Sequence, residues 1–250
     1  MRSVFAAFRF LTCIPFPGNG RLESKQLGSS SAWFPLVGFC IGIILSVTGK
    51  CLGYFFVPMA TAALLLALWT ALSGGLHMDG LMDTADGLYG SRETERALEI
   101  MRDSRVGAMG VTAAIIVVIL KWAFLTSLLE RIGEGGINEW MRLAVIPAMG
   151  RWAMVYLLFV YPYARREGGL AQPFSTETKK GQFFISSLTV LMLCLLSKRP
   201  ELWLAWAAAF LTAAFAGWRV SKRLGGITGD VCGAVNELTE ALALLAVIAC

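Results

Sequence analysis

Seven apolar stretches, at about 33–49, 54–73, 108–129, 140–161, 182–197, 201–217 and 231–250, divide this chain of 250 residues. A helix that crosses a bilayer needs roughly 20 mostly apolar residues, fewer where it is tilted or enclosed by protein. The expected fold is all-α: a polytopic integral membrane helical bundle of about seven transmembrane helices, a single membrane domain over 1–250. Composition agrees, with 56% hydrophobic and 16% charged residues, where a soluble domain is nearer a quarter charged. The fifth and sixth stretches are separated only by Ser197 to Pro200, which predicts a tight helical hairpin.

Ahead of the first span, MRSVFAAFRFLTCIPFPGNG has the look of a secretory signal. Arg9 interrupts its apolar run, and no small-x-small cleavage site follows before Pro15 and Pro17, so that reading is set aside. An interfacial amphipathic helix is expected, with Phe5, Phe8 and Leu11 to Thr12 towards lipid or protein and Arg2 and Arg9 at headgroups. The six cysteines, Cys13, Cys40, Cys51, Cys194, Cys232 and Cys250, form no CxxC pair. They are expected to be small buried apolar residues rather than zinc ligands or disulfides. In the first span, GFCIG with Gly38 and Gly42 predicts close helix packing.

Basic residues in alternate loops set the orientation. One side receives Arg2, Arg9, Arg21, Lys25, Arg92, Arg96, Arg102, Arg105, Arg165, Arg166, Lys179, Lys180, Arg219, Lys222 and Arg223; the other receives Lys50, Arg131, Lys198 and Arg199. Fifteen against four makes the first side cytoplasmic, and the net charge of +5 is mostly a topology signal. Membrane lipid is the expected surrounding and no nucleic-acid partner is expected. The acidic segment 74–107 is then cytoplasmic.

That segment holds the chain's one histidine, His77, and four of its five aspartates. Asp79, Asp83 and Asp86 are spaced i, i+4, i+7, which is one face of a helix. Gly80 and Gly87 follow the first and last of them and leave room for backbone or ligand. Three carboxylates on one face repel unless a cation sits among them. Hard oxygen ligands without thiolate or imidazole point to Mg²⁺ or Mn²⁺, ions that keep waters and bridge to substrate phosphates. A metal site at Asp79, Asp83 and Asp86 suggests phosphoryl transfer, with Arg102 or Arg105 on the remaining phosphate oxygens. For Glu93, Glu95 and Glu99 with Arg92, Arg96 and Arg102, ion pairs on a solvated helix are the better reading.

Asp103 opens DSRVGAMG, where Ser104 is placed to cap the third span and the glycines to present N–H groups to an anion. Asp103 beside Arg105 is a candidate for the site. His77, just ahead of the aspartates, is a candidate general base or an orienting group, and an aspartate is an equal candidate for the base. In the last span Asn236, Glu237 and Glu240 lie among apolar residues, and intramembrane carboxylates suggest function. Arg151 in the fourth span is their nearest partner and Lys121 a second; a structural ion pair and a substrate contact are equally open. GGITGD, with Gly229 and Asp230, resembles a phosphate-cradling loop on the same side as the aspartates. Arg165 is placed to meet an anionic or aromatic substrate or to mark the interface.

The runs GGLHMDGLMDTADGLYG, LEIMRDSRVGAMG, GRWAMVYLLFVYPYAR and LGGITGDVCGAVNELTE, with the N-terminal FLTCIPFP, resemble the cobalamin synthases, also called adenosylcobinamide-GDP ribazoletransferases. The resemblance covers nearly the whole chain. It implies a multi-pass protein of the cell inner membrane that joins α-ribazole, or its 5′-phosphate, to adenosylcobinamide-GDP with Mg²⁺ as cofactor. A ribose hydroxyl attacks the cobinamide-linked phosphorus and GMP leaves, giving adenosylcobalamin or its 5′-phosphate. The fragment DTADG also looks like the opening of the CDP-alcohol phosphotransferase motif, which implies similar chemistry without supporting a lipid substrate; a CDP-alcohol-type phosphotransferase is the alternative reading. A third reading, a transporter working through Glu237, Glu240 and Arg151, leaves the cytoplasmic aspartates unexplained.

Overall fold

The computed structural model describes residues 2–16, 24–133, 135–165, 168–169 and 171–250. These form twelve helices in chain order: α1 (Arg2–Leu11), α2 (Ser24–Ser30), α3 (Phe34–Leu52), α4 (Pro58–Leu72), α5 (Leu76–Gly90), α6 (Thr94–Ile100), α7 (Ala108–Ile132), α8 (Ile137–Val160), α9 (Gln172–Glu177), α10 (Lys180–Ser197), α11 (Glu201–Leu224) and α12 (Gly229–Ile248). A short 3-10 turn, Ser31–Trp33, joins α2 to α3. The described residues contain no strand, only a single bridge between Tyr163 and Ile227. The all-α membrane bundle is therefore observed, and Arg21 and Arg166 lie outside the described residues.

Six helices are long and apolar enough to cross a membrane alone, the first of them running through α2 and α3 as Ser24–Leu52. The seventh expected span is different. Its helix, α4, has only 15 residues and turns through 87° into α5. Two consecutive glycines make that corner: Gly74 and Gly75 have φ of +61° and +71°, a region an L side chain rarely enters. The apolar half of the pair is α4, and α5 carries the aspartates outward from it.

Hydropathy treats the long helices alike, but packing does not. The apolar stretches of α8 and α12 are 83% and 78% buried by protein, against 22%, 28% and 33% for α7, α10 and α11. So α8 and α12 form the centre, and α7, α10 and α11 turn Ile115, Ile119, Leu196 and Phe215 outward to lipid. Gly38 and Gly42 let α3 meet α8 backbone to backbone: a Cβ on Gly42 would stand 2.0 Å from the Ala144 carbonyl oxygen. The hairpin of α10 and α11 turns at Lys198, and α11 runs beyond the expected end, to Leu224.

α1 lies as its sequence predicts, with Phe8 and Leu11 buried and Arg2 and Arg9 exposed. The Cys13 N–H donates to the Leu72 carbonyl at 2.9 Å, which ties the segment after α1 to the α4–α5 corner. The cysteine expectation needs correction: only Cys194 and Cys232 are buried, while Cys13, Cys51 and Cys250 are exposed. The last two sit at helix ends, where the bundle no longer covers them.

Candidate active site

α5 presents two faces. His77, Gly80, Leu81, Thr84 and Ala85 are buried on one, while Asp79 is exposed and Asp83 and Asp86 half-buried on the other. Contact with α12 is intimate, since a Cβ on Gly80 would come within 2.7 Å of the Asp230 carbonyl oxygen. Gly80 thus makes room for backbone, and Gly87 for Met101 and Ala97, rather than for a ligand. This closeness brings Asp230, at the start of α12, beside the acidic face of α5.

Four carboxylates then share one region with one arginine. Partial burial, with Asp79 and Asp230 beside it, pushes the Asp83 carboxyl up to about 7; Arg165 opposes this only in part. Arg165 donates to Asp230 Oδ2 at 2.6 Å and weakly, at 3.4 Å, to the Met101 carbonyl. Its Nε and the hydroxyl of the nearby Tyr163 are buried, and neither makes a further hydrogen bond of good geometry among the described residues. Thr228 caps α12, its hydroxyl accepting from the Val231 N–H at 3.3 Å.

Asp86 departs from the metal expectation. Its Oδ2 accepts from the Gly107 N–H and its Oδ1 from the Gly110 N–H, both at 2.7 Å, so it caps α7 from a neighbouring helix. Side chains at those glycines would collide with it, at 2.4 Å in each case. Ser104, expected to provide this cap, is exposed and outside the helix. Replacing Asp86 with alanine leaves the first N–H groups of α7 unbonded, with an expected loss of ~1–2 kcal/mol in stability. A thermal melt in detergent checks it, and an unchanged melting temperature would show that water serves equally well.

Among the described residues, no three His, Cys, Asp or Glu side chains gather closely enough to hold a metal unaided. The donor set still fits Mg²⁺, which binds through one or two carboxylates and completes its shell with water and substrate phosphate. Asp79 and Asp83 have no cation partner among the described residues, and their mutual repulsion is what such an ion would relieve.

Asp103 pairs with Arg105, as their adjacency predicts: Arg105 grips it from its own loop, Nη2 to Oδ2 at 2.6 Å and Nε to both oxygens at 3.1 Å. This pair is at the surface, where the Arg105 hydrogen bonds draw the Asp103 carboxyl down to about 2. Asp103 does not line the cavity described next.

His77 lies on the buried face of α5, 1% exposed, and its Nε2 finds no partner among the described residues. It lines a cavity of about 100 Å³ together with Asp79, Gly229, Asp230, Cys232 and Gly233. The other wall is Phe10, Phe34, Met154, Leu158 and Phe174, with ring centroids of Phe10 and Phe174 4.5 Å apart. The cavity therefore joins carboxylates and a buried imidazole to an aromatic wall.

Residues 3–248 match the family described as cobalamin-5-phosphate synthase. The chain belongs to that family. It is 42% identical over 241 residues to an adenosylcobinamide-GDP ribazoletransferase of Desulforamulus reducens, covering 95% of this chain and 92% of the relative. The protein of that name from Roseiflexus sp. is 38% identical over 239 residues, covering 95% and 86%. The one from Pseudomonas fluorescens is 38% identical over 252 residues, covering 99% of each. No solved structure matches.

Within this family member, the polar residues of the last span form their own group beneath the cavity. Lys121 donates to Glu237 at 2.9 Å and to Glu240 at 2.6 Å, and lies 4.3 Å from the centre of the Trp69 ring. Arg151 bonds the other oxygen of Glu240. Arg151, Asn236 and Glu240 are fully buried, as is nearly all of Lys121 and Glu237, and this set of two cations and two anions ties α7, α8 and α12 together. Of the two open readings, the structural ion pair is the one observed, and Lys121 shares the partnership with Arg151. The aromatic wall had no sequence signal beyond the amphipathic period of α1, because Phe10, Phe34 and Phe174 come from three separate helices.

Proposed function

We propose that this chain transfers ribazole, or its 5′-phosphate, onto adenosylcobinamide-GDP, releasing GMP. The observation that supports it within the fold is Asp79, which lines the cavity that holds His77, with the likewise unpartnered Asp83 one turn further along α5. The family match over almost the whole chain favours this reading over the CDP-alcohol and transporter alternatives. Asp79 and Asp83 would hold Mg²⁺, which when bound neutralises charge developing on the diphosphate and orients its oxygens. Arg165, steadied by Asp230, and the Tyr163 hydroxyl donate to phosphate oxygens. His77, kept from bulk water, accepts the proton of the attacking ribose hydroxyl at its free Nε2. A new bond forms between that oxygen and the cobinamide-linked phosphorus, and the bond to the GMP oxygen breaks. The aspartate end faces the base-rich, cytoplasmic side, where a nucleotide substrate is at hand.

The test is direct. Purified protein in detergent or lipid, given adenosylcobinamide-GDP, α-ribazole and Mg²⁺, is expected to release GMP, and chelation of the metal to stop it. Folded protein that releases none under those conditions overturns the reading.

A further inference from the structure

At the end of the bundle away from the aspartates lies a cavity of about 370 Å³ between the α3–α4 turn and the α7–α8 turn. Lys50, Tyr54, Thr61, Leu129 and Trp140 are among the residues that line it. A volume of this order suits a ligand rather than a few waters. The charged residue on its wall is Lys50, which is exposed and makes no ion pair among the described residues. Beside it the Trp140 ring, 6% exposed, forms part of the wall.

The cavity continues into a second, apolar space of about 80 Å³ that shares Lys50 and Trp140 with it. Ile43, Val47, Met141 and Ala144 line this groove between α3 and α8. It ends where the two helices touch, at Gly42 against the Ala144 carbonyl. Beside the mouth, Tyr54 and Phe55 are 74% and 81% exposed. Exposed aromatic rings at the end of a spanning helix mark the headgroup level of a bilayer. A cation therefore sits at headgroup depth, above an apolar groove that runs towards the membrane interior.

We propose that this cavity and groove bind one anionic phospholipid. Its phosphate rests on Lys50, and one acyl chain lies between α3 and α8. A zwitterionic lipid brings its own cation and gains less from an unpaired lysine. The site is independent of the transferase reading, since it is built from the opposite ends of the helices.

Native mass spectrometry of the delipidated full chain, offered equal phosphatidylglycerol and phosphatidylcholine, tests this. One phosphatidylglycerol is expected to be retained per chain in preference to phosphatidylcholine. Lys50→Gln, at an exposed position, is expected to weaken that retention about tenfold. Val47→Trp, which fills the groove, weakens it as well. Equal retention of the two lipids overturns the proposal, as does a Lys50→Gln effect no larger than that of Lys198→Gln on the same side. Displacement of the lipid by millimolar inorganic phosphate would mean a simple anion site and also overturns it.

Discussion

Glu240→Gln is expected to leave little folded protein. Glu240 is fully buried and bonded on one oxygen by Lys121 and on the other by Arg151, which brings α7, α8 and α12 together at one point. Glutamine keeps the shape but removes a charge, and two buried cations then face Glu237 alone. Breaking a buried pair by deleting one partner costs ~3–5 kcal/mol, because the orphaned charge cannot reach water. That is a large part of the stability of an ordinary domain. The measurement is the folded yield and melting temperature in detergent. Removing one charge of each sign, with Lys121→Met and Glu237→Gln together, leaves Arg151 and Glu240 paired and is expected to be milder than Glu240→Gln. A Glu240→Gln protein that melts like wild type would mean that the four charges do not act as one group.

Asp83→Asn is expected to act in the opposite way, on catalysis and not on the fold. Asp83 is half-buried beside Asp79 and Asp230, and its ionisation is opposed by all three circumstances. Neutralising it relieves repulsion in the metal-free protein, so the melting temperature should hold or rise. If Asp83 holds the metal, transition-state stabilisation of several kcal/mol is lost, which corresponds to roughly 10³-fold in rate. GMP release at saturating substrate, measured across a Mg²⁺ titration, reads this. Activity near wild type would remove Asp83 from the metal site. Asp86 supplies the contrast, since its carboxylate is spent on the α7 N-terminus and its loss shows first in stability.

The three aspartates also show how far a spacing can be read. Positions i, i+4 and i+7 put their side chains on one face of α5, and so they are. Nothing in that period says that the N-terminus of α7, two glycines at Gly107 and Gly110, would come up against only the third. A pair of glycines opening a long apolar helix without a capping side chain was the available clue. Arg105 is a second case, since in a short exposed loop its nearest carboxylate, Asp103, is the easier partner.

Local order came from the residues in sequence. Apolar runs and their lengths determined that the chain is a helical membrane bundle, the loop bases gave it a polarity, and the aspartate spacing with its family motifs marked one end as the site. These are properties of neighbours along the chain, where helical period and hydropathy act directly. Tertiary structure alone decided which equally apolar helices lie inside, that Gly74 and Gly75 break the second span, and which carboxylates remain free. Those outcomes depend on contacts between residues far apart in sequence: Gly80 on Asp230, Asp86 on Gly107, Lys121 on Glu240. A charge finds its partner through packing, and packing is settled by the shapes of whole helix faces rather than by any single stretch.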